Sequence, residues 1–86
     1  MTITRDAMFH EIAQLIAQHS TQSDATLSED SRFDALGVDS IDLMEIVFRL
    51  EEKHGVEIRV EGLAGRETLG DMVDFAVASV TAKNVH

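Results

Sequence analysis

The residues of this 86-residue chain that could do chemistry gather around one serine. Ser40 follows Gly37-Val38-Asp39 and precedes Ile41-Asp42. A serine in such a setting can act as a nucleophile with a base beside it, or it can carry a covalent group. The string is not a Gly-x-Ser-x-Gly elbow, and nothing assigns His10, His19, His54 or His86 to Ser40 as a base. Hydrolase chemistry therefore fails. Carriage fares better on electrostatic grounds if Ser40 opens a helix. The free N–H groups and the helix dipole at that end favour an attached anion such as a phosphodiester. Asp39 and Asp42 would repel that anion unless a divalent cation bridged them during attachment. For a serine taken in isolation, the plainer reading prevails: it merely begins a helix.

Metal chemistry finds less support. Asp30, Asp34 and Asp39 lack the alternating ligand positions and final Glu of a calcium-binding EF-hand loop. The four histidines form no ligand-like cluster, and His54 has a sufficient reason to sit near a helix C-terminus in the dipole alone. With no Cys, there is no disulfide framework, thiolate site or cysteine nucleophile.

The elements that must position Ser40 are helical. Met8, Ile12, Leu15 and Ile16 repeat at helical spacing and predict a first helix over about Thr4–His19. A connection from Ser20 to Asp39 follows, long for so short a chain, with Leu27, Phe33 and Leu36 as apolar anchors. It leaves room for a short helical turn around Ser31–Leu36. The clearest helix spans Ser40–His54, with Asp39 as N-cap, Asp42 completing a variant capping box, and Gly55 at the C′ position. Val56-Glu57-Ile58-Arg59-Val60 alternates like a strand but has no visible partner. It reads as an extended connector pinned to the core by Val56 and Ile58. Gly62–Gly65 is ambiguous and compatible with one weak turn. A last helix starts at the cap Thr68, with Asp71 at N3, and carries Leu69, Met72, Val73, Ala76 and Val80 on one face to about Ala82. The expected fold is all-α: a small antiparallel bundle of three longer helices plus one short one, forming one domain over residues 1–86.

On the Ser40–His54 helix, Leu43, Ile46, Val47 and Leu50 make an ordinary core stripe. Asp42, Glu45, Arg49, Glu52 and Lys53 lie on the wet side. Ile41, Met44 and Phe48 form a second apolar strip bordering the acidic residues. Either the long connection covers this strip or the strip docks a partner. A flexible Met in an exposed apolar strip would suit several partners.

Composition narrows the partners. Sixteen acidic residues against seven basic ones give a formal net charge of −9. Repulsion from phosphates argues against nucleic acids and anionic membranes, and favours basic protein surfaces. The 44% hydrophobic content suits a folded globule. A chain of this size buries only about 60–65% of its unfolded surface, too little for a deep walled active site. No apolar run approaches a membrane span, and the first residues lack the core of a signal peptide, so the cytoplasm is the expected location.

The string Leu36-Gly37-Val38-Asp39-Ser40-Ile41-Asp42-Leu43-Met44-Glu45-Ile46 closely resembles the attachment motif of the acyl carrier proteins. The likeness continues through Leu50-Glu51-Glu52-Lys53-His54-Gly55-Val56-Glu57-Ile58, and resumes at Thr68-Leu69-Gly70-Asp71-Met72-Val73. Phe33-Asp34-Ala35-Leu36 also fits, so nearly the whole chain is covered. The resemblance implies a non-catalytic carrier. A phosphopantetheinyl transferase would move 4′-phosphopantetheine from coenzyme A to Ser40, and the matching role of Asp39 is to help hold magnesium. The terminal thiol then holds acyl groups as thioesters for fatty-acid, lipid or polyketide-type enzymes, giving thiol chemistry to a chain without Cys. Asp42, Glu45, Glu51 and Glu52 match acidic positions that dock on basic patches of acyl-loading, elongating or acyl-transferring enzymes. Ile41, Met44 and Phe48 match the apolar contacts between them, and Ile58 a residue near the mouth of the bundle. Ile46, Leu50, Ile58, Val73 and Ala76 would line the acyl interior, and the carrier would be a monomer.

This chain departs from the family pattern in places. Ile41 replaces a commoner Leu. Arg59 stands where many fatty-acid carriers have Pro, and with Arg66 it makes the following region less acidic. These departures point to a specialised partner set, and Val38 before Asp39 leans toward acyl over peptidyl carriers. The rival from another class is an unmodified helical interaction module using the same strip.

Overall fold

Thr4 ends its extended backbone by accepting the Ala7 N–H on Oγ1 at 3.1 Å, and the first helix begins at the next residue. In the computed structural model, which describes residues 3–19 and 27–83, helix α1 runs Arg5–Ala17 and buries Met8, Ile12, Ala13 and Ile16. It stops two residues short of the expected His19. Leu15 is only half-buried, at the margin of the stripe. Residues 20–26 of the expected connection lie outside the described residues, as does His86.

The part of the connection that is described is tightly held. Leu27, Phe33 and Val38 are buried. Phe33–Leu36 forms the short helix α2, and Gly37 ends it at φ 75°. That left-handed conformation is cheap only for glycine. It turns the chain so that Val38 enters the core and Asp39 reaches the start of the next helix. The segment before Ser40 is also tied across the fold. Phe33 donates its N–H to Glu67 O (3.0 Å), while Leu69 and Gly70 donate to Ser31 O and Glu29 O (both 2.9 Å). The last two bonds satisfy N–H groups in the first turn of the final helix that no helical carbonyl can reach. Arg5 adds ion pairs to Glu29 (2.6 Å) and Asp74 (2.7 Å).

Helix α3 spans Ser40–His54 and ends at Gly55 with φ 62°. It buries Ile46, Val47 and Leu50. His54 Nε2 lies 2.9 Å from Glu11 Oε1, and Lys53 Nζ lies 3.6 Å from the same oxygen. The end of α3 therefore sits beside the middle of α1. His19, just past α1, meets the start of α3, so the two helices run antiparallel. Val56 and Ile58 are buried along the extended connector, as their alternation requires. A 3-10 turn then spans Val60–Leu63. A Cβ on Gly62 would stand 2.2 Å from Phe75 Cε1, so glycine permits this turn to lie against the ring. The Arg66 guanidinium lies 5.2 Å from the centroid of the same ring and donates to Gly62 O and Asp71 O.

Helix α4, Leu69–Lys83, turns Leu69, Met72, Val73, Ala76 and Val80 into the core. Its cap is reciprocal: Asp71 N–H donates to Thr68 Oγ1, and Thr68 N–H donates to Asp71 Oδ2, both at 3.2 Å. The Glu67 N–H, then the Thr68 hydroxyl and N–H, hold the Asp71 carboxyl below the usual carboxylate range. A carboxyl with a depressed folded pKa contributes stability above its unfolded value and loses it as pH falls through the folded one. Asp71→Asn is therefore expected to be less stable than wild type at neutral pH, and the gap to narrow at an acid pH below the ordinary aspartate range. Urea unfolding of both proteins at the two pH values checks this.

Candidate functional site

The reciprocal cap at α3 sets the position of Ser40. Asp42 N–H donates to Asp39 Oδ1 at 2.9 Å, and Asp39 N–H donates to Asp42 Oδ2 at 3.3 Å. These bonds satisfy two exposed donors at the helix start and fix the residue at which the helix begins. Ser40 is that residue, and it is exposed. Among the described residues its hydroxyl takes no part in the cap or in any other hydrogen bond. It is held in place by its backbone and is free to be modified.

Two grooves meet at Ser40. One, of about 320 Å³, lies toward the charged side chains of Arg32, Asp34, Arg66 and Glu67, with Phe33, Val38 and Leu43 also lining it. There the Arg32 guanidinium bonds to Asp34 at 3.2 Å and pairs with Glu67 at 3.2 Å. Arg32, then the Ala35 N–H, hold the Asp34 carboxyl below the usual range. The other groove, of about 310 Å³, is mainly apolar and is lined by Leu43, Met44, Val60, Leu63 and Ala64. A serine with charged side chains on one side and an apolar groove on the other suits an arm that is polar near its anchor and bears an apolar load. The residues present fit a phosphopantetheine group. The apolar lining differs from the set expected from sequence. Ile46, Leu50, Ile58, Val73 and Ala76 are all buried core residues.

The second strip of α3 lies open. Ile41 is 73% exposed, Met44 53% and Phe48 67%. Glu45 and Glu52 are exposed beside it. Two residues of the expected docking set are less open, although Glu51 lines the same groove as Met44 and Phe48. Ile58 is buried, and Glu51 is half-buried, its Oε2 accepting the Ile58 N–H at 2.8 Å. Glu51 thus holds the connector against α3. Asp42 is half-buried as well, engaged in the cap and 3.3 Å from His19 Nδ1.

Sequence reasoning missed Val60, 40% exposed, which joins Met44 and Phe48 in an apolar groove of about 260 Å³. The alternation of Val56 and Ile58 would turn Val60 inward, but the 3-10 turn begins at that residue and breaks the period. It also missed His19, whose Nε2 lies 3.8 Å from Glu45 Oε2. That meeting spans the whole connection, and no local spacing signals it. Among the described residues there is no cluster of three potential metal ligands, and no helix is long and apolar enough to cross a membrane.

A family profile described as "Phosphopantetheine attachment site" matches residues 10–76. An acyl carrier protein of Tropheryma whipplei (strain Twist) is 35% identical over 80 residues, covering 92% of this chain and 98% of the relative. The meromycolate extension acyl carrier protein of Mycobacterium leprae (strain TN) is 33% identical over 76 residues, 87% of this chain and 66% of the relative. The crystal structure of an acyl carrier protein from Thermotoga maritima aligns with a TM-score of 0.76 at 20% identity, over 92% of this chain and 93% of that one, a likeness of fold. Fold and family profile together define a helical carrier domain that bears phosphopantetheine. The chain belongs to the acyl carrier protein family, whose members carry acyl groups and are not enzymes.

The two apolar strips of α3 make a direct test. Ile46→Ala, at 0% exposure, is expected to cost about 2–5 kcal/mol of stability. Ile41→Ala, at 73% exposure on the same helix, should stay within about 0.5 kcal/mol of wild type. Chemical denaturation of the two variants under one set of conditions decides it.

Proposed function

We propose that Ser40 carries the phosphopantetheine arm and that the face of α3 beside it delivers the load to partner enzymes of fatty-acid, lipid or polyketide-type synthesis. The observation that carries this reading is the exposed, uncommitted hydroxyl of Ser40 at the first residue of a capped helix. In the transfer, Ser40 Oγ bonds to the phosphorus of the phosphopantetheine half of coenzyme A, the nucleotide half leaves, and the serine proton passes to a base on the transferase. The bound group supplies a terminal thiol on which acyl chains are held as thioesters.

The chain's own residues position and shield. Free N–H groups at the start of α3 and the helix dipole favour the negative charge fixed on Ser40. Asp39 uses Oδ1 in the cap, and its other oxygen is free among the described residues to meet magnesium during the transfer. The groove lined by Leu43, Met44, Val60, Leu63 and Ala64 offers apolar cover for the acyl chain. Docking rests on Ile41, Met44, Phe48 and Val60, with Glu45 and Glu52 as exposed flanking charges and Asp42 at the Ser40 end. Ile58 supports this face from behind, and Glu51 lines its groove while accepting the Ile58 N–H. The protein acts as one carrier domain, a monomer, in the cytoplasm. A chain without Cys and without a membrane-spanning helix among its described residues fits that location.

Intact mass before and after incubation with a broad-range phosphopantetheinyl transferase, magnesium and coenzyme A tests the assignment. The wild type is expected to gain one phosphopantetheine group, unless its starting mass already contains it. Ser40→Ala should gain none while keeping the same helical circular dichroism. An unmodified, folded wild type that stays inert beside a working control carrier would give the site to an unmodified interaction module. Glu45→Lys tests the docking face, since Glu45 is outside the cap. KM for partner enzymes is expected to rise about three- to tenfold at low salt, and less at high salt. Equal KM values across partners would remove Glu45 from the docking face.

A further inference from the structure

The apolar groove at Ser40 has two unequal walls. One is α3, a helix of fifteen residues with a reciprocal cap at its start and a left-handed glycine at its end. The other is the Val60–Leu63 segment with Ala64, a single 3-10 turn, whose hydrogen bonds are poorer than those of an α-helix. Leu63 lines the groove and also packs against the buried core, so it stands between them. An alkyl chain too long for the groove reaches that core by moving the turn. Moving α3 instead would break its cap and unseat Ile46, Val47 and Leu50.

The turn is pinned on both sides. Before it, the Ile58 N–H donates to Glu51 Oε2 on α3 at 2.8 Å. After it, the half-buried Arg66 reaches back and bridges the turn to α4. Its Nε donates to Gly62 O at 2.9 Å, its Nη1 donates to Asp71 O at 3.1 Å, and its guanidinium lies 5.2 Å from the Phe75 centroid. Gly62 rests on the same ring, where no Cβ would fit.

Resting on the acyl-carrier reading, we propose that Arg66 is a latch that sets the shortest alkyl load the bundle draws in. While Arg66 holds Gly62 O and Asp71 O, the turn stays on Phe75, and a short load remains in the groove, open to the next enzyme. A longer chain enters only as the turn lifts, which breaks the Arg66 bonds. Each methylene taken out of water favours entry about fourfold. Two hydrogen bonds from a charged donor and a cation–π contact, partly in water, oppose it by a factor on the order of a hundred. Entry therefore waits for about three to four methylenes more than the groove itself covers. The class of load this favours is a short acyl group presented at the surface. Arg66 acts here as a positioning residue.

An Arg66 that only supported the fold would lower stability by the same amount under every load, so chain length is the variable to change. Coenzyme A thioesters from butyryl to dodecanoyl are used by a broad-range transferase to load Ser40 of wild type and of Arg66→Ala. Each product is treated with hydroxylamine, which takes the acyl group as the hydroxamate, and the rate is compared with the same acyl group on free pantetheine. Wild type is expected to begin protecting its thioester at a chain about three to four carbons longer than Arg66→Ala does. At intermediate lengths the variant should be cleaved about five- to tenfold more slowly, and its melting temperature should begin to rise at the same shorter length. Phe75→Leu, which keeps an apolar side chain and loses the ring, should move the onset by about one carbon. In wild type alone, deuterium exchange of the Arg66 Nε proton should quicken about tenfold at the protecting lengths. If Arg66→Ala fails to fold, Phe75→Leu and this exchange decide. One onset shared by all the proteins, no onset in any, or an Nε proton that stays equally slow to exchange while the load is protected overturns the proposal. These outcomes leave the carrier reading standing. A wild type that takes no phosphopantetheine from coenzyme A brings down the carrier reading and this proposal with it.

Discussion

The reciprocal bond between Asp39 and Asp42 is the constraint on which the functional end of the molecule depends. It sets the first residue of α3 and therefore the phase of every side chain after it. With that phase, Ser40 points outward, Leu43, Ile46, Val47 and Leu50 face the core, and Ile41, Met44 and Phe48 fall on the open side. A shift of one residue would rotate the helix by about 100° and bring Ile41 toward the core in place of its neighbours. The cap in turn depends on what precedes it. Gly37 in its left-handed conformation and the buried Val38 aim the chain, and the bonds from residues 29–33 to the start of α4 hold that turn against the body of the fold.

The same cap presents an electrostatic conflict. Two carboxylates stand beside the residue proposed to carry a phosphodiester, and like charges at such range disfavour one another. The arrangement is tolerable because both carboxylates are spoken for: each accepts a backbone N–H, and Asp42 also lies 3.3 Å from His19. The helix dipole adds a favourable field at the same end. The serine itself contributes nothing to the cap, so the group it carries can change without altering the helix start.

How much of this was legible in the sequence follows from the range over which each interaction acts. Caps and apolar stripes act within four residues, and Ser40–His54, its reciprocal cap, the cap at Thr68 and the second apolar strip could all be read from spacing, though not whether the long connection covers that strip. The end of α1 could not, because the last periodic apolar residue does not say where a helix lets go. Contacts that join distant segments left no local trace. His19 against Asp42, Glu11 against His54, and the backbone bonds between residues 29–33 and 67–70 are of this kind. Val60 failed for a subtler reason. The alternation of Val56 and Ile58 is genuine, but the 3-10 turn begins at Val60, the residue that alternation would next have placed inside. Which apolar residues border a groove was also out of reach, because a core residue and a groove residue look alike in sequence, and only packing separates Ile46 from Leu63.

The exposed strip carries a cost that the fold could have avoided. Fully burying a side chain such as Ile41 or Phe48 is worth about 1.5–3 kcal/mol. Leaving Ile41, Met44 and Phe48 largely in water therefore forgoes several kcal/mol, in a domain whose whole margin of stability is expected to be about 5–10 kcal/mol. Polar residues at Ile41 and Phe48 would lose little in packing and would gain solubility. The strip persists beside a surface whose net charge is −9, and the two features answer one another. In the proposed docking role the apolar residues are the adhesive part of the face, and the charge around them holds copies of the chain apart while favouring a basic surface. Such a face must also let go, since a carrier that meets several enzymes in turn cannot bind any one of them tightly. A small strip rimmed by solvent-screened charges meets that requirement, with affinity limited by its area and selectivity aided by the charges around it.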